Sequence, residues 1–298
     1  MRNDLLIEDL KPTVERLMER HLSSAKEWFP HELVPWSLGR DFVSDEEWDP
    51  SAVKLETGVS SALFVNLLTE DNLPYYFNSI DRIFGASVWG EWARRWTAEE
   101  QRHSIVIRDY LTVLRLLDPV ALERARMKQV SGGIVPDPDD ATEALVYVTL
   151  QELATRVSHR NTGKLLDDPY GMAIMARVAA DENLHYLFYR DLTQVALERD
   201  PSTTICAIEK QVQNFAMPGV GIEEFDRHSK LIAEVGIYDL QLHVDFVLVP
   251  VLVKQWKIGS IGGLDAQGAR AQENLMSYLE RVGRLADRLR ARKEDQRR

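Results

Sequence analysis

Apolar residues recur at three- and four-residue intervals along most of this chain, and the two-residue alternation of strands is nearly absent. That pattern restricts the chain to an all-helical fold. The first long run covers residues 57–84, with Pro74 expected to kink it. The next, Ser87–Leu117, would form roughly 45 Å of helix at 1.5 Å per residue. A polar loop is expected at Ser131–Asp140, followed by helices over Ala141–Arg160, stopped by Asn161-Thr162-Gly163, and over Asp168–Glu198. Shorter helical stretches follow near 202–215, 222–235, 237–257 and 265–294. Four long helices with accessory ones predict one helical-bundle domain over 1–298, its core at about 57–200 and accessory helices at about 201–294.

Composition narrows the function. A formal net charge of −11 disfavours nucleic-acid binding, because a phosphate backbone repels such a surface. The lone Cys206 precludes an intrachain disulfide and fits a reducing cytoplasm. Residues 1–30 carry charges throughout and lack a signal-peptide core. Val244–Val253 is apolar but short and interrupted by Asp245 and Pro250, so it reads as a buried helix and not a membrane span. The expectation is a soluble cytoplasmic protein.

Two tetrads carry the chemistry: Glu100-Gln101-Arg102-His103 and Glu182-Asn183-Leu184-His185. Helical residues three apart share a face, so each tetrad can aim a carboxylate and an imidazole at one point. One tetrad alone is weak, since a solvated helix face produces the same spacing. Glu70 and Glu152, however, each precede a tetrad glutamate by thirty residues. The repeated unit is thus a lone Glu on one helix and Glu-x-x-His on the next. Four carboxylates and two imidazoles brought together in this way are the ligand set of di-iron and di-manganese carboxylate bundles. Hard carboxylates with imidazoles suit iron or manganese, and the absence of thiolates argues against structural zinc. Glu70, Glu152 and Glu182 also lie in strongly apolar surroundings, where converging carboxylates require cations. The alternative for Glu100, a capping box with Thr97, is disfavoured because the apolar pattern already runs upstream through Val88, Trp92 and Trp96.

Around these residues the sequence resembles the soluble acyl-acyl carrier protein desaturases, which include the plant plastid stearoyl desaturases. The likeness runs from about Trp28 to about Leu275. It is carried by Thr69–Pro74, Trp96–His103, Leu150–Thr155, Ser158–Thr162, Ala180–His185, Ala216–Pro218, Trp256-Lys257 and Gly263–Gly268. The resemblance implies a homodimeric ferritin-like bundle with two irons per chain and O2-dependent insertion of a cis double bond into a saturated acyl chain. The acyl group would ride on acyl carrier protein or coenzyme A, and electrons would come from a ferredoxin-type donor. By the same resemblance Glu70, Glu100, His103, Glu152, Glu182 and His185 fall on the iron ligands. Thr155 falls beside the oxygen-binding face, and Asp181 and Trp96 on positions that support the ligands and the electron route.

The chain departs from the plant pattern at Asn66, where an Asp stands four residues before the first ligand, and at Asn183 and Leu184, which replace two charged residues. These changes keep a catalytically silent relative, acting as a binding or regulatory subunit, as the alternative. A ribonucleotide reductase radical subunit is disfavoured because Ile107 stands where that family places its Tyr. Leu63, Leu67, Val148, Met172 and Phe188 are candidates for an acyl channel or simply core. Arg94, Arg95, Arg102, Arg108 and Arg115, with Arg124, Arg126 and Lys128, are candidate cations for an acidic carrier. The basic tail 281–298 is either a frayed end or an interaction arm, and the frayed end is the favoured expectation.

Overall fold

The computed structural model describes residues 2–43, 46–85 and 87–296, and no strand occurs among them. The long helices are α1 (Arg2–Ser24), α2 (Thr57–Asp71), α3 (Leu73–Phe84), α4 (Val88–Val113), α5 (Pro119–Gly132), α6 (Ala141–Leu165) and α7 (Pro169–Arg199). They are followed by α8 (Pro201–Gln213), α9 (Phe225–Glu234), α10 (Leu240–His243) and α11 (Ala266–Gln296). A π-helical segment, Val244–Gln255, continues α10. No helix among the described residues is long and apolar enough to cross a membrane.

Asp-Pro dipeptides set several helix starts. Asp118, Asp168 and Asp200 each accept backbone N–H bonds of the first turn, while Pro119, Pro169 and Pro201 lie at positions whose N–H would be unbonded anyway. Asp140, which caps α6 by accepting from Glu143 N at 2.9 Å, does the same without a proline. These caps fix where α6 and α7 begin, and hence the height of Glu152 and Glu182 in the bundle.

Two boundaries differ from expectation. Pro74 does not kink one helix; Asn72 ends α2 and Leu73-Pro74 opens α3. Asn161-Thr162-Gly163 does not stop α6, which continues to Leu165. Tertiary packing overrides the local signal there, because Gly163 lets α7 approach so closely that a Cβ would lie 2.7 Å from Met175 Cβ. The segment Val244–Val253 is only half buried: Val244, Val247, Leu248, Val251 and Leu252 face the core, while Phe246 and Val253 are exposed. The tail is helical rather than frayed as far as Gln296, where α11 ends, and residues 297–298 lie outside the described residues.

Three apolar clusters surround the bundle. Trp89, Trp92, Phe188 and Tyr189 dominate the one beneath α1, with Trp92 stacked on Phe188 at 3.6 Å. A second joins α2, the C-terminal half of α4 and α9. The third seats α8, the π-helical segment and α11 against α6. Between them lies a line of buried polar side chains.

Candidate metal centre

That line is contributed by four helices. Glu70 comes from α2, Glu100 and His103 from α4, Glu152 from α6, and Glu182 and His185 from α7, all buried. The structure therefore brings all six sequence-predicted residues together. Their ligand atoms form two groups, each within 4.8 Å: Glu70, Glu100, His103 and Glu182, and Glu100, Glu152, Glu182 and His185. Glu100 and Glu182 belong to both. Two cations bridged by two carboxylates would use such a pattern, with one further carboxylate and one imidazole for each.

Both imidazoles present Nδ1 to the carboxylates. His103 Nδ1 lies 3.2 Å from Glu100, 3.6 Å from Glu182 and 3.7 Å from Glu70. His185 Nδ1 lies 2.7 Å from Glu100 and 3.6 Å from Glu152. None of these is an aligned hydrogen bond. Glu100 Oε1, Glu152 Oε2 and both Nδ1 atoms are buried without a hydrogen-bond partner. Buried polar atoms left unpaired cost about 1–3 kcal/mol each, so this convergence of carboxylate and imidazole atoms without aligned hydrogen bonds fits a site that holds cations.

The other ring nitrogens point outward to further acids. His185 Nε2 lies 2.9 Å from Glu99, and His103 Nε2 lies 3.5 Å from Asp181. Each acid immediately precedes the glutamate of one tetrad and serves the histidine of the other. The Glu99 hydrogen bond holds the His185 proton on Nε2 and leaves its Nδ1 free to ligate, whereas His103 Nε2 faces Asp181 without an aligned hydrogen bond. Glu99 is fixed in turn by His21 Nε2 at 2.8 Å and Arg95 Nε at 2.6 Å. Asp181 accepts from Trp28 Nε1 at 2.8 Å and Arg102 at 3.3 Å, and pairs with Arg177. Trp96 donates to Glu152 Oε1 at 2.9 Å. Thr97 donates to Ala93 O within α4, so it caps nothing.

Protons stand in for cations in the metal-free protein. Burial works to lower His103 and His185, but the charge of Glu100 and the surrounding acids outweighs it and raises both. Burial works to raise Glu100, yet the two imidazoliums hold it far below the carboxylate range. Glu182 is pushed up by burial and by the charges of Glu100 and Glu152. Metal uptake at such a site displaces protons.

Several neighbours did not stand out in sequence. His159 Nε2 lies 3.1 Å from Glu70 and 3.7 Å from Glu182. It sits one turn beyond Thr155 and two beyond Glu152, a spacing that could have pointed to it. Thr155 Oγ1 lies 2.8 Å from Glu182 Oε2 and 3.1 Å from the carbonyls of Gln151 and Glu152. The resemblance points to Asp181, but not to Glu99 or to the distant partners His21 and Trp28. A further buried trio, His21, Glu99 and His185, also gathers ligand atoms within 4.8 Å.

A cavity of about 840 Å³ opens from Glu70, Thr155 and His159. Val65, Phe215, Ile232 and Leu240 supply apolar wall, and Asn66, Ser158, Ser229 and Gln241 polar wall. The five channel candidates are absent from it. Leu63, Leu67, Val148 and Phe188 are core residues, whereas Met172 is half exposed. The wall comes instead from α9, α10 and the end of α11, whose approach to α2 no local pattern encodes.

Residues 2–298 match the model of the fatty acid desaturase family. It is 40% identical to DesA1 of Mycobacterium tuberculosis, ascribed acyl-[acyl-carrier-protein] desaturase activity, over 98% of this chain and 89% of that one. It is 29% identical to the chloroplastic stearoyl-[acyl-carrier-protein] 9-desaturase of Gossypium hirsutum, over 95% and 76%. The X-ray structure of DesA2 from M. tuberculosis, ascribed the same activity, superposes with a TM-score of 0.71 at 29% identity, covering 90% of this chain and 99% of that one. The fold is thus ferritin-like and all-helical, and the chain belongs to the fatty acid desaturase family.

Proposed function

We propose that this protein is a cytoplasmic, single-domain, homodimeric acyl-[acyl carrier protein] desaturase that introduces a cis double bond into a saturated long acyl chain. The observation that carries the reading is the pair of buried ligand groups sharing Glu100 and Glu182, beside a cavity that reaches Glu70 and Thr155. Glu70 and His103 would complete one iron site, and Glu152 and His185 the other. Two irons held there supply the O2-dependent oxidation of an unactivated methylene pair. The balance is one CH2–CH2 unit, O2, two electrons and two protons giving one CH=CH unit and two waters. A ferredoxin-type protein is the proposed electron donor, and the acyl chain arrives on acyl carrier protein, with coenzyme A as the other carrier.

The chain's own residues bind and orient. The apolar wall excludes water and holds the acyl chain extended past Glu70. Thr155 can turn its hydroxyl from a backbone carbonyl to Glu182 or to a species entering the cavity, which suits it to steer a proton there. Glu99 keeps His185 in the ligating tautomer, and the charge of Asp181 beside His103 Nε2 favours the same one there. Anaerobically loaded protein given stearoyl carrier protein, ferredoxin, its reductase and O2 is expected to yield an alkene. Full iron loading with no unsaturated product on either carrier would instead establish the silent-relative reading.

A further inference from the structure

The sequence offered cations on α4, on α5 and at Arg115 for an acidic carrier; most are paired with acids, and none of them lines the cavity. Arg95 pairs with Glu99, Arg102 with Asp181, Arg108 with Asp71, Arg115 with Glu46, Arg126 with Glu123 and Lys128 with Glu223. The cations that line the cavity lie elsewhere, on the last turns of α11. Arg290, Arg292 and Lys293 border it beside Leu289 and Ala286. Glu70, Thr155 and His159, all buried, mark the inner end; Arg290 and Arg292, both exposed, mark the mouth. Arg290 pairs with the exposed Asp287 of its own helix, at 3.1 Å. Lys293 reaches across to Asp239 at 2.6 Å and to the carbonyl of Ala233 at 3.1 Å, tying α11 to the α9–α10 connection. A helix C-terminus favours cations through its dipole. That explains basic last turns in general, but not their convergence on the rim of this cavity in an acidic protein.

We propose that Arg290, Arg292 and Lys293 form an anion-binding rim for the phosphate of a pantetheine-linked acyl thioester, with Asp239 holding Lys293 until the phosphate replaces it. The proposal rests on the desaturase reading above and adds the residues that recognise the carried substrate. Burial falls from Glu70, Thr155 and His159 through the half-buried Ser229 and Gln241 to the exposed Arg290 and Arg292, a gradient that suits such a ligand. Its hydrocarbon lies against the apolar inner wall, its amides face Ser229 and Gln241, and its phosphate meets the cations at the mouth. Guanidinium–phosphate contacts are charge-assisted and about twice as strong as neutral hydrogen bonds, so the phosphate discriminates carried from free acyl groups.

The test is equilibrium binding of stearoyl-4′-phosphopantetheine and stearoyl-pantetheine to the iron-loaded full-length protein, read without turnover. The wild type is expected to bind the phosphorylated probe about tenfold or more tightly. In R290A/R292A/K293A that ratio should collapse to within about twofold, while the charge-conserving R290K/R292K/K293R retains most of it. Circular dichroism reports whether the helix survives. A wild-type ratio near one overturns the rim, as does a variant ratio unchanged with helicity intact. Holo-carrier protein and coenzyme A are then added as competitors. Competition by either supports the rim, and their ranking identifies the carrier; competition by neither overturns it. A protein that shows the phosphate preference yet makes no alkene supports the rim and places the failure in the desaturase reading.

Discussion

Glu152→Gln separates what the metal centre costs the metal-free fold from what it gives the loaded one. Glu152 is fully buried; Oε1 accepts from Trp96 and Oε2 has no hydrogen bond. Glutamine keeps the acceptor for Trp96, removes one negative charge and can place an amide donor toward Glu182. Relieving a buried charged atom without a partner is worth about 1–3 kcal/mol. His185 also loses part of the field that keeps it protonated, which brings the expected gain in the metal-free state down to about 1 kcal/mol. With iron the sign reverses. A cation present at about a hundred times its dissociation constant stabilises the native state by about 2.7 kcal/mol, and the variant should forfeit most of that at the group containing Glu152. Urea unfolding under anaerobic conditions, with and without Fe(II), measures both terms. Metal-free Glu152→Gln should unfold at higher urea than the metal-free wild type, and iron-loaded Glu152→Gln at lower urea than the loaded wild type. A variant destabilised without metal that still gains the full iron increment would refute the reasoning.

Because Glu100 is shared and Glu70 is not, Glu70→Ala should leave about one iron per chain and Glu100→Ala almost none, as measured by elemental analysis after desalting. His243 is pushed down to about 4 by burial, with Tyr238 donating to its Nδ1 at 2.8 Å, so the folded protein keeps it neutral. Its unfolded value lies near 6.5; its contribution is complete above that and is lost as pH falls toward 4. Between pH 8 and pH 5 the metal-free wild type should therefore lose about 1–2 kcal/mol more stability than His243→Phe, the lower figure allowing for partial exposure. Gly58→Ala would set a Cβ 2.5 Å from Val235 Cγ1 and 2.7 Å from the Leu231 carbonyl, costing about 1–3 kcal/mol in chemical denaturation. Gly283→Ala, with open space around it in α11, should instead stabilise by about 0.5–1 kcal/mol.

The ligands were legible because every step to them is local or periodic. Glu-x-x-His states a helix face, and the thirty-residue offset from Glu70 and Glu152 states that two helix pairs repeat it. What escaped depends on long-range packing. His21 and Trp28 reach the centre through Glu99 and Asp181, across sequence separations that leave no periodic trace. The cavity wall escaped for the same reason: Ile232 and Leu240 look like ordinary helix residues until α9 crosses α2 at Gly58. Leu63 and Leu67 are open in sequence between channel wall and core, and the structure puts both in the core on α2. The basic tail read as frayed because charge density is visible in sequence and the docking of Ala286 is not. Asn66, a departure from the plant pattern, lines the cavity with its Nδ2 buried and unpartnered. That places its effect on whatever enters the cavity, not on ligation.

The most direct test of the centre is anomalous scattering at the iron edge from crystals loaded with Fe(II) without oxygen. Two peaks are expected, one among Glu70, Glu100, His103 and Glu182 and the other among Glu100, Glu152, Glu182 and His185. A single peak, or one among His21, Glu99 and His185, would contradict the account.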